Sequence, residues 1–291
     1  MKKQHLLVAS AMLSLSLTSC GGNPNAPKID LENKIITYGL YPQSRVTNEN
    51  GLLSQLRELT PEAIDEDTGW YLYEGAYYAK VSAKPLYGNS TDAVFENGDK
   101  IVEFDSYWFK CEPIIWRILA EKDDGYLAFS EYVLESHVFN SNTWNDYSQS
   151  SIRTYLNMEF FNIAFSKDEG EYVLETLVDN SAATTASPSM HEDFDNTLDK
   201  VFLLSYQDLI NEEYGFSSEN GPDKNGKDTG RGTSVTDYAR AVGASFASNG
   251  YGTYWTRSPE SSMYVYDGGV TMEGKSCYSS GNVRLAITIK K

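Results

Sequence analysis

The amino-acid sequence predicts a single α+β domain, with strands near its start and its end and short helices between them. Three observations support this fold class. Aromatic residues are abundant, with 21 tyrosines and 5 tryptophans in 291 residues, and aromatic side chains favour strands. Apolar residues recur at helical spacing in the middle of the chain. No internal repeat or linker interrupts the sequence after residue 29, so we expect one continuous core.

The N-terminal residues predict a signal peptide rather than part of the fold. A basic leader precedes residues 6–17, an apolar run that is too short to span a bilayer but typical of a signal peptide. Residues 17–21 (LTSCG) resemble the lipobox of bacterial lipoproteins, in which the cysteine is acylated and becomes the new N-terminus. Cys20 is therefore the predicted lipidation site. The alternative is an ordinary secretory signal with a chance cysteine.

The chain accordingly divides into a signal peptide (residues 1–19), a lipid-anchored tether (residues 20–33) and a folded domain (residues 34–291). Residues 21–27 (GGNPNAP) suit a tether because they are polar, rich in Gly and Pro, and without periodicity. The expected location is extracytoplasmic, at the bacterial cell membrane, with lipid on Cys20 as the sole membrane contact.

The chain is strongly acidic, with a formal net charge of −17. The signal peptide carries two lysines and no acid, which leaves 22 basic against 41 acidic residues and a net charge of −19. Nucleic acids and anionic lipid surfaces repel such a protein. The charge therefore argues against either of them as a partner.

Two cysteines remain beside the predicted anchor, Cys111 and Cys277. Outside the cytoplasm they could form a disulfide, or they could be one buried and one exposed thiol. Their spacing matches no zinc or redox motif, and the sequence leaves the choice open.

The first half of the chain predicts mainly strands. The strand candidates cover residues 35–40, 101–104, 107–110, 114–119 and 126–130. The first of these ends at Tyr41-Pro42-Gln43, and residues 52–59 are a helix candidate. Residues 70–81 predict a hairpin with its turn at Glu74-Gly75. A second hairpin turn is predicted at Asp123-Asp124-Gly125.

The middle of the chain predicts helices. Ser150 and Ser151 offer an N-cap, and apolar residues follow at helical spacing at positions 152, 156, 160 and 163. Residues 167–178 are a second helix candidate and residues 180–196 a long loop. Residues 201–204 predict a buried strand. Capping-box spacing then recurs before two short helices, at Ser205/Asp208 and at Ser234/Asp237.

The closing segment, residues 254–289, predicts a firm frame that holds an adaptable loop. Its two ends are apolar and are expected to be buried, whereas Gly, Ser and Tyr are interleaved between them. Tyr264 and Tyr266 are two residues apart, so a strand would place both on one face. The candidate ligand contacts are Trp255, Tyr264, Tyr266, Asp267 and Tyr278. The alternative is that these aromatic residues cover the edge of the core.

A succession of short motifs resembles a family of bacterial surface domains. The motifs are, in order, GLYPQ (39–43), PIIWRIL (113–119), RTYLN (153–157), DKVFLLS (199–205), YARAVGA (238–244), WTRSP (255–259) and VR (283–284). Together they are similar to the domain of unknown function DUF6273, over roughly residues 35–290. The W-x-R-S and later G-x-V-R patterns also resemble the closing part of C-type-lectin-fold proteins. These include relatives of the formylglycine-generating enzyme and the variable proteins of diversity-generating retroelements.

The resemblance implies a C-type-lectin-like fold: two main helices pack on small antiparallel sheets, and a long C-terminal loop region presents the ligand surface. The residues expected to be structural are Trp116, Arg117, Arg257 and Arg284. The two arginines of the closing motif would bind backbone carbonyls or buried acids, with an anion contact as the alternative. The chain departs from the family pattern at Leu285, where a proline is usual, and at Glu260, where a glycine is frequent.

The sequence offers no recognisable catalytic motif. His5 leaves with the signal peptide, His137 lies in an apolar stretch, and His191 lies in a polar loop. None of them stands at a recognisable spacing from a nucleophile. Catalysis by carboxylates among the 41 acids stays an alternative.

The sequence leaves open whether residues 223–230 bind calcium. Residues 223–230 (DKNGKDTG) alternate oxygen ligands, but an EF-hand loop requires glycine at position 6 and glutamate at position 12. Here the glycine stands at position 4, and Ser234 occupies position 12. We therefore predict no catalytic residue, no metal site and no cofactor, and leave calcium binding by this loop open.

The main hypothesis is a lipid-anchored cell-surface binding protein, without catalysis, that recognises a protein or glycan through its C-terminal loops. The main alternative is an enzyme or enzyme accessory on the same fold, acting on surface glycans or exported proteins. A third hypothesis is a structural envelope protein without a discrete ligand.

Overall fold

The computed structural model describes residues 23–86, 93–141, 145–186, 192–218, 230–259, 261–266, 269–274 and 280–291. These residues form an α+β structure with mostly antiparallel sheets and few helices, which confirms the predicted fold class. The predicted signal peptide, Cys20, Cys277 and most of the candidate calcium loop lie outside the described residues. Cys111 is buried and forms no disulfide with any residue that the structure describes.

Within the described residues the strands form three sheets. The strands are β1 (Lys28–Asp30), β2 (Ile35–Arg45), β3 (Tyr71–Tyr73), β4 (Ala76–Ser82), β5 (Ser106–Glu121), β6 (Gly125–Ser130), β7 (Glu135–Val138), β8 (Val173–Leu174), β9 (Thr176–Val178), β10 (Thr197–Asp199), β11 (Val201–Phe202), β12 (Tyr254–Trp255), β13 (Ser261–Tyr266), β14 (Gly269–Gly274), β15 (Ser280–Val283) and β16 (Ala286–Lys290). The largest sheet has nine strands, with the central order β1-β2-β5-β6-β16-β11; β4, with its partner β3, pairs with β5, and β8 pairs with β16. A five-stranded sheet has the order β14-β13-β12-β15-β7, and β9 pairs with β10.

The described helices are short. They are α1 (Leu52–Arg57), α2 (Ser151–Tyr155), α3 (Phe161–Ala164), α4 (Ala182–Thr185), α5 (Tyr206–Leu209) and α6 (Asp237–Ala241). A π-helical turn, Leu156–Phe160, joins α2 to α3 into one continuous helix. In the part of the chain that the structure describes, no helix is both long and apolar enough to cross a membrane.

Strand β5 is a long central strand of the large sheet. It covers two segments, residues 107–110 and 114–119, that the sequence predicts as separate strands. One edge pairs with β2, while the other pairs first with β4, up to Lys110, and then with β6 from Trp116. Pro113, which has no N–H to donate, lies where this second edge changes partner. The strand therefore continues through the proline without losing a ladder bond on that edge.

Strand β2 continues to Arg45 instead of ending at Tyr41, as the sequence predicts. Its pairing with β5 shifts between Thr37 and Leu40, where Gly39 has a φ of +72°. A Cβ at Gly39 would lie 2.5 Å from the Phe165 ring. Glycine therefore permits both the bulge and the close approach of Phe165, which directly follows α3.

The predicted helix that begins after Ser150, and its cap, are confirmed. The Ser150 side chain accepts a hydrogen bond from the backbone N–H of Arg153, and Ile152, Leu156 and Phe160 are fully buried. Phe160 packs against Tyr41 of β2, with ring centroids 4.8 Å apart. Burying each side chain of this size stabilises the fold by about 1.5–3 kcal/mol, so this helix is firmly held on the large sheet.

The prediction of a second main helix at residues 167–178 is wrong. After a 3₁₀ turn at Glu169–Glu171, this segment forms β8 and β9. Val173 pairs with Ile289 of β16, and Leu177 pairs with Leu198 of β10. Strand partners that lie far away in sequence thus decide the conformation, and local apolar spacing does not reveal them.

Four further predictions need correction. Residues 101–104 form a turn rather than a strand. Helix α6 is capped by Thr236, whose side chain accepts from the Ala239 N–H, and not by Ser234. The large sheet already begins at Lys28, inside the predicted tether. The long C-terminal loop region contains the β13–β14 hairpin.

Candidate functional site

The predicted site residues lie on and beside the five-stranded sheet. Strand β12 is antiparallel to β13 and parallel to β15, with Tyr254 opposite Asn282. Tyr254, Trp255, Asn282 and Val283 are buried. A Cβ at Gly281 would lie 2.6 Å from the Trp255 ring, so the absence of a side chain lets β15 lie against this tryptophan. Together β12 and β15 form the firm frame that the sequence predicts.

Trp255 lies in the core rather than on the surface, with 2 % of its area exposed. Its indole N–H donates to the His137 carbonyl at 2.9 Å, and its ring packs edge to face on Phe139. The tryptophan therefore ties β12 to β7. This burial leaves little of the Trp255 surface exposed.

Arg284 is fully buried beside this frame. Its guanidinium donates to the carbonyls of Ser130 at 2.8 Å, Arg231 at 3.0 Å and Gly230 at 3.1 Å. It also lies 4.0 Å from the centroid of the Phe129 ring. Burial lowers the pKa of Arg284 from its ordinary value. These contacts fit the structural role expected of Arg284, since the fork of donors binds three backbone carbonyls.

Arg257 is buried and ion-paired. Its Nη2 donates to Asp208 Oδ2 at 3.0 Å, and its backbone N–H donates to the Leu204 carbonyl. The same Asp208 oxygen accepts the Ser205 N–H at 2.8 Å, which closes the predicted capping box of α5. Arg257 thus connects the end of β12 to the start of α5.

Trp116 and Arg117 lie on β5, in the large sheet. Trp116 is fully buried, and its indole N–H donates to the Tyr38 carbonyl at 2.9 Å. The Arg117 guanidinium is half-buried and forms a two-pronged ion pair with Glu131, with its closest contact at 2.7 Å. A further Arg117 N–H reaches the Gly230 carbonyl that Arg284 also binds. Both arginines therefore donate to the same backbone carbonyl.

Two of the predicted contact residues, Tyr264 and Tyr266, belong to β13. This strand pairs with β14 from Ser261↔Gly274 to Tyr266↔Gly269. Within the described residues β14 is the outer strand of the five-stranded sheet. Asp267 and Tyr278 lie outside the described residues. The structure thus brings the two tyrosines onto one strand of a hairpin that is continuous with the buried frame.

A buried carboxyl on β7 was missed by the sequence reasoning. Glu135 is 7 % exposed and accepts hydrogen bonds from Tyr41 Oη at 2.7 Å, Tyr155 Oη at 3.3 Å and the Ser136 N–H at 2.8 Å. The ring of Tyr238 packs edge to face on Tyr41. We call Glu135 with Tyr41, Tyr155, Tyr238 and His137 the Glu135 cluster. The available sequence signal was one acid within the apolar stretch of residues 133–139.

Opposing effects act on the pKa of the Glu135 carboxyl. Burial raises the pKa of Glu135, although the hydrogen bonds from Ser136, Tyr41 and Tyr155 oppose this effect. Burial also raises the pKa of Tyr41 and of Tyr155. His137 stacks on Tyr155 at 4.4 Å and donates from Nδ1 to the Val138 carbonyl, so it is the packed histidine that the sequence favours. Burial is the largest of these effects, so the pKa of Glu135 lies above its ordinary value.

Among the described residues, no group of three or more His, Cys, Asp and Glu side chains is placed to hold a metal ion. Of the candidate calcium loop, residues 223–230, only Gly230 is described. Calcium binding by that loop stays a prediction.

Comparison with known proteins identifies one family. The model described as "Domain of unknown function (DUF6273)" matches residues 123–291, which is more than half of the chain. The matched part includes the five-stranded sheet, the Glu135 cluster except Tyr41, and the helix α2–α3. No curated protein and no solved structure matches significantly.

Proposed function

We propose that this chain, which belongs to the DUF6273 family, is a lipid-anchored extracytoplasmic binding protein without a catalytic role. Membership of this family does not by itself indicate an activity. Its ligand is a protein or a glycan. The fold is C-type-lectin-like, with the closing strands as the frame of the ligand surface.

The hairpin β13–β14 is the observation that carries this proposal. It extends from a frame in which Trp255 and Val283 are buried, and β14 is the outer strand among those described. Tyr264 and Tyr266 are two positions apart on β13, and residues so spaced share one face of a strand. Tyrosine gives a large, amphipathic contact area at a low entropic cost. A buried frame that carries an outer hairpin with two tyrosines is an arrangement suited to binding a protein or a glycan.

The acidic charge and the N-terminal motif support the location. A net charge of −17 repels nucleic acids and anionic lipids, and the segment around Cys20 resembles a lipobox. Acylation of Cys20 would hold the domain at the outer side of the membrane. There the domain meets other surface proteins and glycans.

The enzyme alternative has one observation in its favour, the Glu135 cluster. A buried glutamic acid with a raised pKa is a general-acid arrangement in glycoside hydrolases. Those enzymes use two carboxyl groups on either side of the scissile bond, and Glu135 is the one carboxyl of this cluster. We therefore favour binding over catalysis.

A binding screen tests the proposal. The full-length chain, purified in detergent, is applied to a glycan array and to extracted bacterial surface proteins, with calcium and with EDTA. We expect saturable binding to at least one component and no turnover of it. Failure to bind any component under either condition, or conversion of a component into product, would contradict a non-catalytic binding protein.

A further inference from the structure

A cleft of about 680 Å³ is lined by two segments of the chain that lie far apart in sequence, which form its two walls. One wall is the loop of residues 65–70 together with Tyr77 of β4, and the other is formed by residues 161–171 with Lys200. Small-molecule sites typically have volumes of roughly 300–1,000 Å³, so the cleft is large enough for a ligand. None of its lining residues belongs to the hairpin β13–β14.

The first wall is fixed by its own hydrogen bonds. Asp65 Oδ1 accepts the Thr68 N–H at 2.9 Å and the Thr68 hydroxyl at 2.8 Å. The Asp65 N–H donates to the Trp70 carbonyl, and the Gly69 N–H donates to the Asp65 carbonyl, both at 2.8 Å. The hydrogen bonds from Thr68 lower the pKa of Asp65. This loop therefore presents an ionised carboxylate from a preformed turn.

The second wall is fixed by packing around Phe161. A Cβ at Gly170 would lie 2.9 Å from the tip of the Phe161 ring, so glycine is needed for this contact. Lys200 Nζ donates to the Gly170 carbonyl at 2.7 Å and lies 4.7 Å from the centroid of the Phe161 ring. Phe161 also packs against Phe165, with centroids 5.5 Å apart. The ring is thus positioned before any ligand arrives, which lowers the entropic cost of binding.

Aromatic and polar groups meet in the cleft. Trp70 is buried, 6.2 Å from the ring of Tyr77, and the half-buried Tyr77 and Phe161 line the cleft with it. Asp67 and Asn162 are exposed at the rim, where a carboxylate and an amide can bind hydroxyl groups. A pocket with apolar ring surfaces and a few polar groups fits a ligand that has both C–H faces and hydroxyls.

The charged residues that line the cleft disfavour strongly charged ligands. The acids are Asp65, Asp67, Glu169 and Glu171, and the bases are Lys167 and Lys200. The excess of acids repels anionic polymers, while the two ammonium groups oppose a strongly cationic ligand. We infer that the cleft binds a neutral oligosaccharide, stacked against Tyr77 and held at the rim by Asp67. This site is separate from the proposed hairpin surface.

Calorimetric titration of the full-length chain tests the inference. The probes are tetramers of β-1,4-linked glucose and of β-1,4-linked N-acetylglucosamine, with tetralysine as a cationic comparison. We expect saturable binding of at least one sugar, at least tenfold weaker in Tyr77→Ala and weaker in Asp67→Asn, whose exposed position makes it safe for folding. Tyr132→Ala, an exposed tyrosine outside the cleft, is the matched control and should bind like the wild type.

The outcomes separate this cleft from the hairpin. Sugar binding that survives in Tyr264→Ala/Tyr266→Ala but is lost in the cleft variants supports the inference, whatever the hairpin binds. No sugar binding, equal binding by Tyr77→Ala and Asp67→Asn, or binding of tetralysine in place of the sugars overturns it. Circular dichroism of each variant confirms that lost binding is not lost folding. If Tyr77→Ala does not fold, Asp67→Asn decides.

Discussion

At the scale of single residues, Arg284 illustrates why arginine occupies a buried position of an otherwise apolar strand pair. Its donors reach three carbonyls that belong to Ser130, Gly230 and Arg231. A lysine carries a compact ammonium group on a flexible stem and cannot copy the planar fork. The closing motif therefore depends on the shape of the guanidinium and not only on its charge.

We predict that Arg284→Lys destabilises the fold by about 2–4 kcal/mol, because buried carbonyls lose their donors. Urea denaturation followed by tryptophan fluorescence measures this loss. Arg57→Lys, at the exposed end of α1, is the control and should change stability by less than about 0.5 kcal/mol. An Arg284→Lys variant as stable as the wild type would show that the carbonyl contacts contribute little.

Glu135 predicts a pH dependence of stability. Its pKa is raised by burial from an ordinary value of 4.5, so the folded state binds the proton more tightly than the unfolded state. Tyr41, Tyr155, Tyr238 and His137 face the carboxyl. The stabilisation is complete below the unfolded pKa and is lost as the pH rises through the folded pKa, by about 1.4 kcal/mol per pH unit between the two values.

Glu135→Gln removes this titration. We expect the stability difference, wild type minus variant, to fall as the pH rises from 4 to 8, and urea midpoints at each pH measure it. Glu66→Gln, at an exposed position, serves as the control. Parallel curves for the wild type and Glu135→Gln would mean that Glu135 titrates alike in both states.

At the scale of elements, short-range chemistry was predictable from the sequence. The Ser150 cap, the Ser205/Asp208 capping box and the hairpin turn at Glu74-Gly75 all occur where predicted. Each depends on side chains within a few residues of one another. Long-range pairing was not predictable: residues 173–178 become strands because β16 and β10 offer them edges, and those partners lie elsewhere in the sequence.

The candidate site shows the same division. Trp255, Arg257 and Arg284 were recognisable because they belong to the short closing motifs WTRSP and VR. The Glu135 cluster was not, since its members come from β2, β7, α2 and α6 and meet only in the fold. A single acid in an apolar stretch was its only local trace. The cleft of Tyr77 and Phe161 is likewise assembled from distant segments.

The contact between Gly281 and Trp255 yields a prediction at this scale. In Gly281→Ala the new methyl group would lie 2.6 Å from the Trp255 ring and force β15 away from β12. We expect a loss of about 1–3 kcal/mol. In a double-mutant cycle, Trp255→Phe should recover part of that loss by making room. Additive effects of the two substitutions would contradict direct steric coupling.

At the scale of the whole molecule, the chain combines an acidic surface, a nine-stranded sheet and a smaller sheet that ends in a tyrosine-bearing hairpin. The family match covers the second half of the chain, residues 123–291. The remainder supplies β1 to β5 and the first wall of the cleft. Both proposed binding surfaces therefore share one scaffold but use different parts of it.

The lipid anchor makes a prediction of its own. The wild-type chain, expressed in a bacterium that processes lipoproteins, should enter the detergent phase of a Triton X-114 extraction. Cys20→Ala should move to the aqueous phase, because the acyl chains are the expected membrane contact. Cys111→Ala controls for the loss of any cysteine, since that thiol is buried. Detergent partitioning that persists in Cys20→Ala would contradict acylation at this residue.

The most direct measurement is the binding of the full-length chain to immobilised bacterial surface extract, compared between the wild type and Tyr264→Ala/Tyr266→Ala. Surface plasmon resonance gives the affinity, and the melting temperature of each protein establishes that it is folded. The account predicts saturable binding that weakens at least tenfold in the folded double variant and is unchanged in Tyr132→Ala. Equal binding by the wild type and the double variant would contradict the assignment of the ligand surface to the hairpin β13–β14.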